Sequence, residues 1–183
     1  PYQLKEPYGT VVVDMLRAVR FYAAFENSQF LVNDQLFLAG YSEGGYATMA
    51  THQIIERDYS DEFDITVSFP MAGAYSLSGI MTDVMLEQQP YGQPFYFPFI
   101  LFAYLDFYPS IGTVEQYLLP EYVFLADWFD GYHSSGEIND AMPDIPITIM
   151  KPEEVHFFEE NTNHPLRVAL QENDLWDWIP QAP

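Results

Sequence analysis

The chain has 183 residues, 49% of them hydrophobic and 17% aromatic, a composition that supports one domain with a real core and excludes a disordered chain. Six basic against 27 acidic residues give a formal net charge of -21, and no Lys or Arg occurs between Arg57 and Lys151; this excludes most nucleic-acid partners and disfavours anionic membranes and polyanionic substrates, while suiting a neutral ligand. Without cysteine there is no disulfide framework, thiolate nucleophile or Cys-based metal site, and neither a metal nor a cofactor is expected.

Residues 8–26 carry apolar Val12, Met15, Leu16, Val19 and Ala23 at spacings of three and four, so they read as an amphipathic helix ending at the "ENSQ" turn, Glu26 to Gln29. After the turn signal Asn33-Asp34, Gln35 to Ala39 reads as a short buried strand, and the residues from Gly44 to Asp58 as a helix. A second strand is expected over Asp64–Gly73; its uniformly apolar centre is that of a parallel strand covered on both faces. Helix, strand, helix, strand predicts an α/β fold. From Tyr75 to about Asn173 prolines and aromatics replace this alternation, and fifteen of the 42 residues from Tyr91 to Tyr132 are Phe, Tyr or Trp. That density is the core of a helical subdomain, the lining of an apolar pocket, or both. The longest apolar run, Phe95 to Leu105, is about half of the ~20 residues a membrane helix needs, so no stable membrane insertion is expected.

The chemistry is concentrated at "LFLAGYSEGGYATM", Leu36 to Met49, where Gly40 to Gly44 match G-x-S-x-G, the nucleophile elbow. A strand that turns at once into a helix holds Ser42 in a strained conformation. The positions two before and two after it are crowded, so glycine is expected at Gly40 and Gly44, while Gly45 lets the helix approach the sheet. The backbone N–H of Glu43, at the helix start, points where an oxyanion would form, and the helix N-terminus adds partial positive charge. The plainer reading of Ser42 is an ordinary N-cap.

A serine nucleophile needs a base and an orienting carboxylate. His52 is ten residues past Ser42 on the same helix, ~15 Å along its axis, and cannot reach. His133, His156 and His164 read as surface or satisfied histidines. No Asp follows a recognised late strand, so neither triad partner is assigned to a residue of this chain.

Together "GTVVVDMLRAVRFY", "LFLAGYSEGGYATMATHQIIE", "SFPMAGAYSLSGIM", "GEIN" and "ALQENDLWDWIPQAP" resemble the secreted lipase and esterase branch of the α/β-hydrolase superfamily. The resemblance implies a partial hydrolase sheet, with 1–74 and 174–183 in the core and 75–173 inserted as a helical, aromatic-rich lid. It carries Ser42 over as nucleophile and Glu43 as oxyanion donor. It also implies that the chain is an internal fragment, lacking earlier strands and the later Asp and His, of an extracellular or periplasmic enzyme.

The expected function is hydrolysis of neutral carboxylic esters through an acyl-enzyme, with a small apolar ester as substrate. Two alternatives stay open: a serine peptidase of the prolyl oligopeptidase type, whose elbows "GYSEGGY" also suits, and a degenerate, non-catalytic hydrolase. Without base and orienter the chain as given is expected to show no measurable esterase activity. It is also expected to be poorly stable alone, since the strand at Leu36–Ala39 lacks a neighbour on one side.

Overall fold

Helix α1 (Lys5–Ala23) takes in Pro7 and so begins ahead of the expected Tyr8 in the computed structural model, which describes residues 2–25, 29 and 31–183. Proline is tolerated in a first turn because its missing N–H would have no partner there. The expected end at "ENSQ" falls on Glu26, Asn27 and Ser28, which lie outside the described residues. Strand β1 (Leu36–Tyr41) runs two residues beyond the expected Ala39, directly into α2 (Glu43–Asp58), and β2 (Ile65–Met71) follows. The two strands pair in parallel, with an irregularity after Leu36↔Ile65 and then in register from Phe37↔Val67 to Tyr41↔Met71.

These elements, Gln3–Tyr75, form one compact unit with Leu175–Pro183. Val13, Leu38, Ile55, Phe63 and Ile65 are its buried apolar cluster, with Leu16, Leu36, Tyr59 and Ala182 packed against it. On α1 the buried positions are Gly9 and Val13. A Cβ on Gly9 would meet Ile54 Cδ1 at 2.3 Å, so glycine is what seats α1 directly on α2. Arg17 holds Glu62 with two hydrogen bonds of 2.9 and 2.6 Å, and Arg20 lies over the Phe63 ring. Met15, expected on the buried stripe, is instead 53% exposed, alongside exposed Val11, Tyr22 and Phe25. Spacings of four and seven put Val11, Met15 and Tyr22 on a second apolar face of α1.

The sheet departs from expectation in the same way. Leu38 and Ile65 are buried, but Phe37, Tyr41, Phe69 and Met71 are all exposed, so the described residues cover one face only. The apolar composition is that of a strand covered twice; the covering here is single.

The C-terminal segment is fastened to this unit by polar contacts. Glu56 on α2 accepts hydrogen bonds from the N–H groups of Gln181 and Ala182, and the Ser68 N–H donates to the Pro183 carbonyl at 2.9 Å.

The second unit is Ser76–Asp174 with Tyr2. Its regular elements among the described residues are helical: a π turn (Leu77–Met81) running into α3 (Thr82–Leu86), then α4 (Tyr96–Phe107), α5 (Val114–Tyr117), α6 (Leu125–Trp128), α7 (Ser135–Asp140), α8 (Pro152–Glu160) and α9 (Pro165–Glu172). One isolated antiparallel bridge joins Leu118 to Met150. Phe97, Leu101, Tyr104, Tyr117, Leu125 and Phe158 are buried, so part of the aromatic series is core. Asp174 accepts from the N–H groups of Leu77 and Ser78 and from the Ser78 hydroxyl, satisfying the donors that open the π turn. No single described helix is long and apolar enough to cross a membrane.

Candidate functional site

Ser42 sits between the last residue of β1 and the first of α2 with φ 58° and ψ -119°. That region is costly for any side-chain-bearing residue, and such strain persists only where the surroundings impose it. Here they do. The Ser42 N–H donates to the Met71 carbonyl of β2 at 2.9 Å, and its own carbonyl accepts from Tyr46 N–H at 3.1 Å. The side chain is exposed and makes no capping hydrogen bond, and the backbone is not in the extended region that an N-cap adopts.

The glycines divide differently from the sequence expectation. A Cβ on Gly40 would lie 2.1 Å from the Gly44 carbonyl oxygen and 2.6 Å from Thr48 Oγ1, and one on Gly45 would lie 2.2 Å from the Met71 carbonyl oxygen. Both must therefore be glycine, the second because it brings α2 onto β2. Gly44 differs: a Cβ there meets no described atom within 4 Å, so the crowding expected at both flanks acts on Gly40 alone. The asymmetry arises because Gly40 points at the backbone of α2's first turn, whereas Gly44 points out of that turn.

Glu43 opens α2, so its N–H has no carbonyl one turn earlier within the helix to donate to. Its carboxylate accepts a hydrogen bond from the Tyr8 hydroxyl of α1. Thirty-five positions separate the two residues, and nothing in the spacing of either announced the contact. At the end of β2, Ala72 has φ 52°, so both strands finish in a strained non-glycine residue at the carboxyl edge where parallel sheets build their sites.

His52 is buried at 2% exposure. Its Nε2 lies 2.9 Å from Glu56 Oε1, and its Nδ1 lies 2.7 Å from Ser68 Oγ. A carboxylate only accepts, so Nε2 carries a proton and donates it to Glu56. Burial pushes the Glu56 carboxyl up, but hydrogen bonds from Ala182, Gln181 and His52 outweigh it and hold it below the ordinary Glu range. Both ring nitrogens of His52 are thus engaged with Glu56 and Ser68.

In the other unit, His164 is buried and Nδ1 accepts from the Leu166 N–H at 3.2 Å, while Nε2 faces Glu154 at 3.5 Å. Burial lowers its pKa, the Glu154 carboxylate opposes this, and the Arg167 charge adds to the lowering. His133 stacks on Trp128 with ring centroids 4.5 Å apart and pairs with Asp130, and exposed His156 pairs with Glu160. Among the described residues no cluster of three or more His, Asp or Glu is placed to hold a metal ion. A cleft of about 490 Å³ in the first unit is lined by Leu16, Val19, Leu31, Leu36 and Phe63, at the opposite end of β1 from Ser42.

No family model matches the chain, and no curated protein matches it. Solved structures do. The rice cell wall degrading esterase LipA from Xanthomonas oryzae superposes with a TM-score of 0.89 at 25% identity over 100% of this chain and 50% of its own. A ligand-bound form of the same esterase gives 0.87 at 26% identity. A Legionella pneumophila protein described as a candidate hydrolase gives 0.86 at 26%, over 100% of this chain and 48% of its own.

The chain has a lipase/esterase-like hydrolase fold.

It spans about half the length of the solved structures it matches. Within that hydrolase fold the described two-stranded parallel sheet is a partial one, accompanied by a larger number of helices.

Proposed function

We propose that the protein is a serine ester hydrolase in which Ser42 is the nucleophile and neutral carboxylic esters are the substrate class. The likeness to an esterase and to a candidate hydrolase supports a hydrolase of the esterase type. The observation that carries the serine assignment is the conformation of Ser42 itself: φ 58°, a hydroxyl with no capping role, and flanking glycines at 40 and 45 that tolerate no Cβ. A serine kept only to cap α2 would be extended, with its hydroxyl turned onto the helix.

In the proposed reaction Ser42 Oγ attacks the ester carbonyl carbon and loses its proton to a general base, while the carbonyl electrons move onto oxygen beside the Glu43 N–H. Collapse of the tetrahedral species expels the alcohol, which takes up that proton, and leaves an acyl-serine. Water then attacks the acyl carbon and releases the carboxylic acid. The N-terminus of α2 favours the oxyanion through its partial positive charge. No histidine of the chain is assigned as the base, and the residues 75–173 are proposed as an inserted lid whose aromatics, and whose lack of Lys and Arg ahead of Lys151, suit an uncharged acyl group.

The test is hydrolysis of neutral acyl esters and of dipeptide amides by the product of the full reading frame, with Ser42→Ala beside it. Ester turnover that falls by at least about 10³-fold in Ser42→Ala is expected. Faster turnover of amides sinks the ester reading in favour of a peptidase, and a Ser42→Ala protein as active as its parent sinks the nucleophile assignment. The 183-residue chain alone is expected to be inactive in the same assay.

A further inference from the structure

We propose that Tyr8 is a positioning residue that restrains the charge of Glu43 beside the oxyanion site; the inference rests on the reading of Ser42 as nucleophile. Glu43 carries two opposed features. Its backbone N–H is the proposed donor to the developing oxyanion, yet its side chain is a carboxylate of the same sign as that oxyanion. A unit charge a few ångströms from another of like sign, in a site from which substrate excludes water, raises the barrier to forming it.

The structure supplies a restraint. The Tyr8 hydroxyl donates to Glu43 Oε1, which fixes the carboxylate against α1. Tyr8 itself has little freedom. Its ring packs edge-on against Tyr46, with centroids 5.9 Å apart, and Tyr46 is fully buried one turn into α2, its N–H bonded to the Ser42 carbonyl. A Cβ on the next residue, Gly9, would lie 2.3 Å from Ile54 Cδ1, so α1 is seated closely on α2 beside Tyr8. The phenol is therefore held by the same helix whose first turn it serves, while Glu43 is exposed and would otherwise sample several rotamers.

The test measures ester turnover by the product of the full reading frame in four variants: Tyr8→Phe, Glu43→Gln, the two combined, and Ser42→Ala. Tyr8→Phe keeps the ring and removes only the hydroxyl. It is expected to lower kcat about tenfold, the equivalent of one pKa unit of differential interaction, with KM changed less than about twofold. In the Glu43→Gln background, where no charge needs restraining, the same substitution should cost less than about twofold. An unchanged kcat in Tyr8→Phe overturns the proposal. So does an equal loss in both backgrounds, since that marks a purely structural hydroxyl. Turnover that survives Ser42→Ala, or a parent with no Ser42-dependent turnover, removes the reading beneath it and is told apart from the first two outcomes by that variant alone.

Discussion

At the scale of single residues, the elbow makes unequal demands on its glycines. Gly40→Ala forces a methyl group to within 2.1 Å of a backbone oxygen that cannot swing aside, so a loss of about 2 kcal/mol or more is expected, read as a lower urea midpoint. Gly44→Ala adds its methyl to open space in a helical turn and should be neutral or stabilising by up to about 1 kcal/mol. A matched loss at both positions would contradict this. His164 makes a different demand. Its pKa is lowered mainly by burial, so the unfolded chain takes up a proton near the ordinary histidine value of 6.5 while the folded chain does not. Its contribution is present above that value and is lost as pH falls through the lower folded pKa. His164→Asn should flatten the dependence of unfolding free energy on pH just below about 6.5 relative to the parent; an unchanged slope means that folding does not lower the His164 pKa.

At the scale of elements, short-range spacing located α1, β1, α2 and β2 to within a few residues, because helix and strand periodicity are properties of neighbouring side chains. What spacing could not reveal is how the C-terminal segment is held. Glu56 receives two backbone N–H groups from Gln181 and Ala182, more than 120 positions away, together with His52. Glu56→Ala should cost about 1–3 kcal/mol through these lost bonds, with faster amide exchange at Gln181 and Ala182. Because the Glu56 carboxyl is held below its ordinary range, its contribution is present above that range and fades as pH falls through the folded value. Exchange rates that stay the same in Glu56→Ala would show that Pro183 and the Ser68 N–H hold the segment unaided. Met15 shows the opposite limit of spacing: its period fitted the buried stripe, but the close seat of Gly9 on Ile54 turns α1 so that Gly9 and Val13 face inward.

At the scale of the whole molecule, the decisive fact is an apolar sheet with one covered face. Phe37, Tyr41, Phe69 and Met71 are exposed, as are Val11, Met15 and Tyr22 on α1 and Phe25 just past it, and the outer edge of β1 pairs with no described strand. Surfaces of this kind drive association. The 183-residue chain is therefore expected to associate with rising concentration in light scattering, despite its charge of -21, and a monomer with a cooperative melt at every concentration would refute this. The strained turn at Ser42, the strand and helix order and the resemblance to esterases were all readable in the sequence, since such a turn between a strand and a helix is written in a handful of adjacent residues. The contact of Tyr8 with Glu43, the pairing of His52 with Ser68, and the bond from Ser78 to Asp174, 96 positions on, were not. Each joins residues that chain order leaves far apart, so each came into view only once packing had brought its two halves within hydrogen-bond reach.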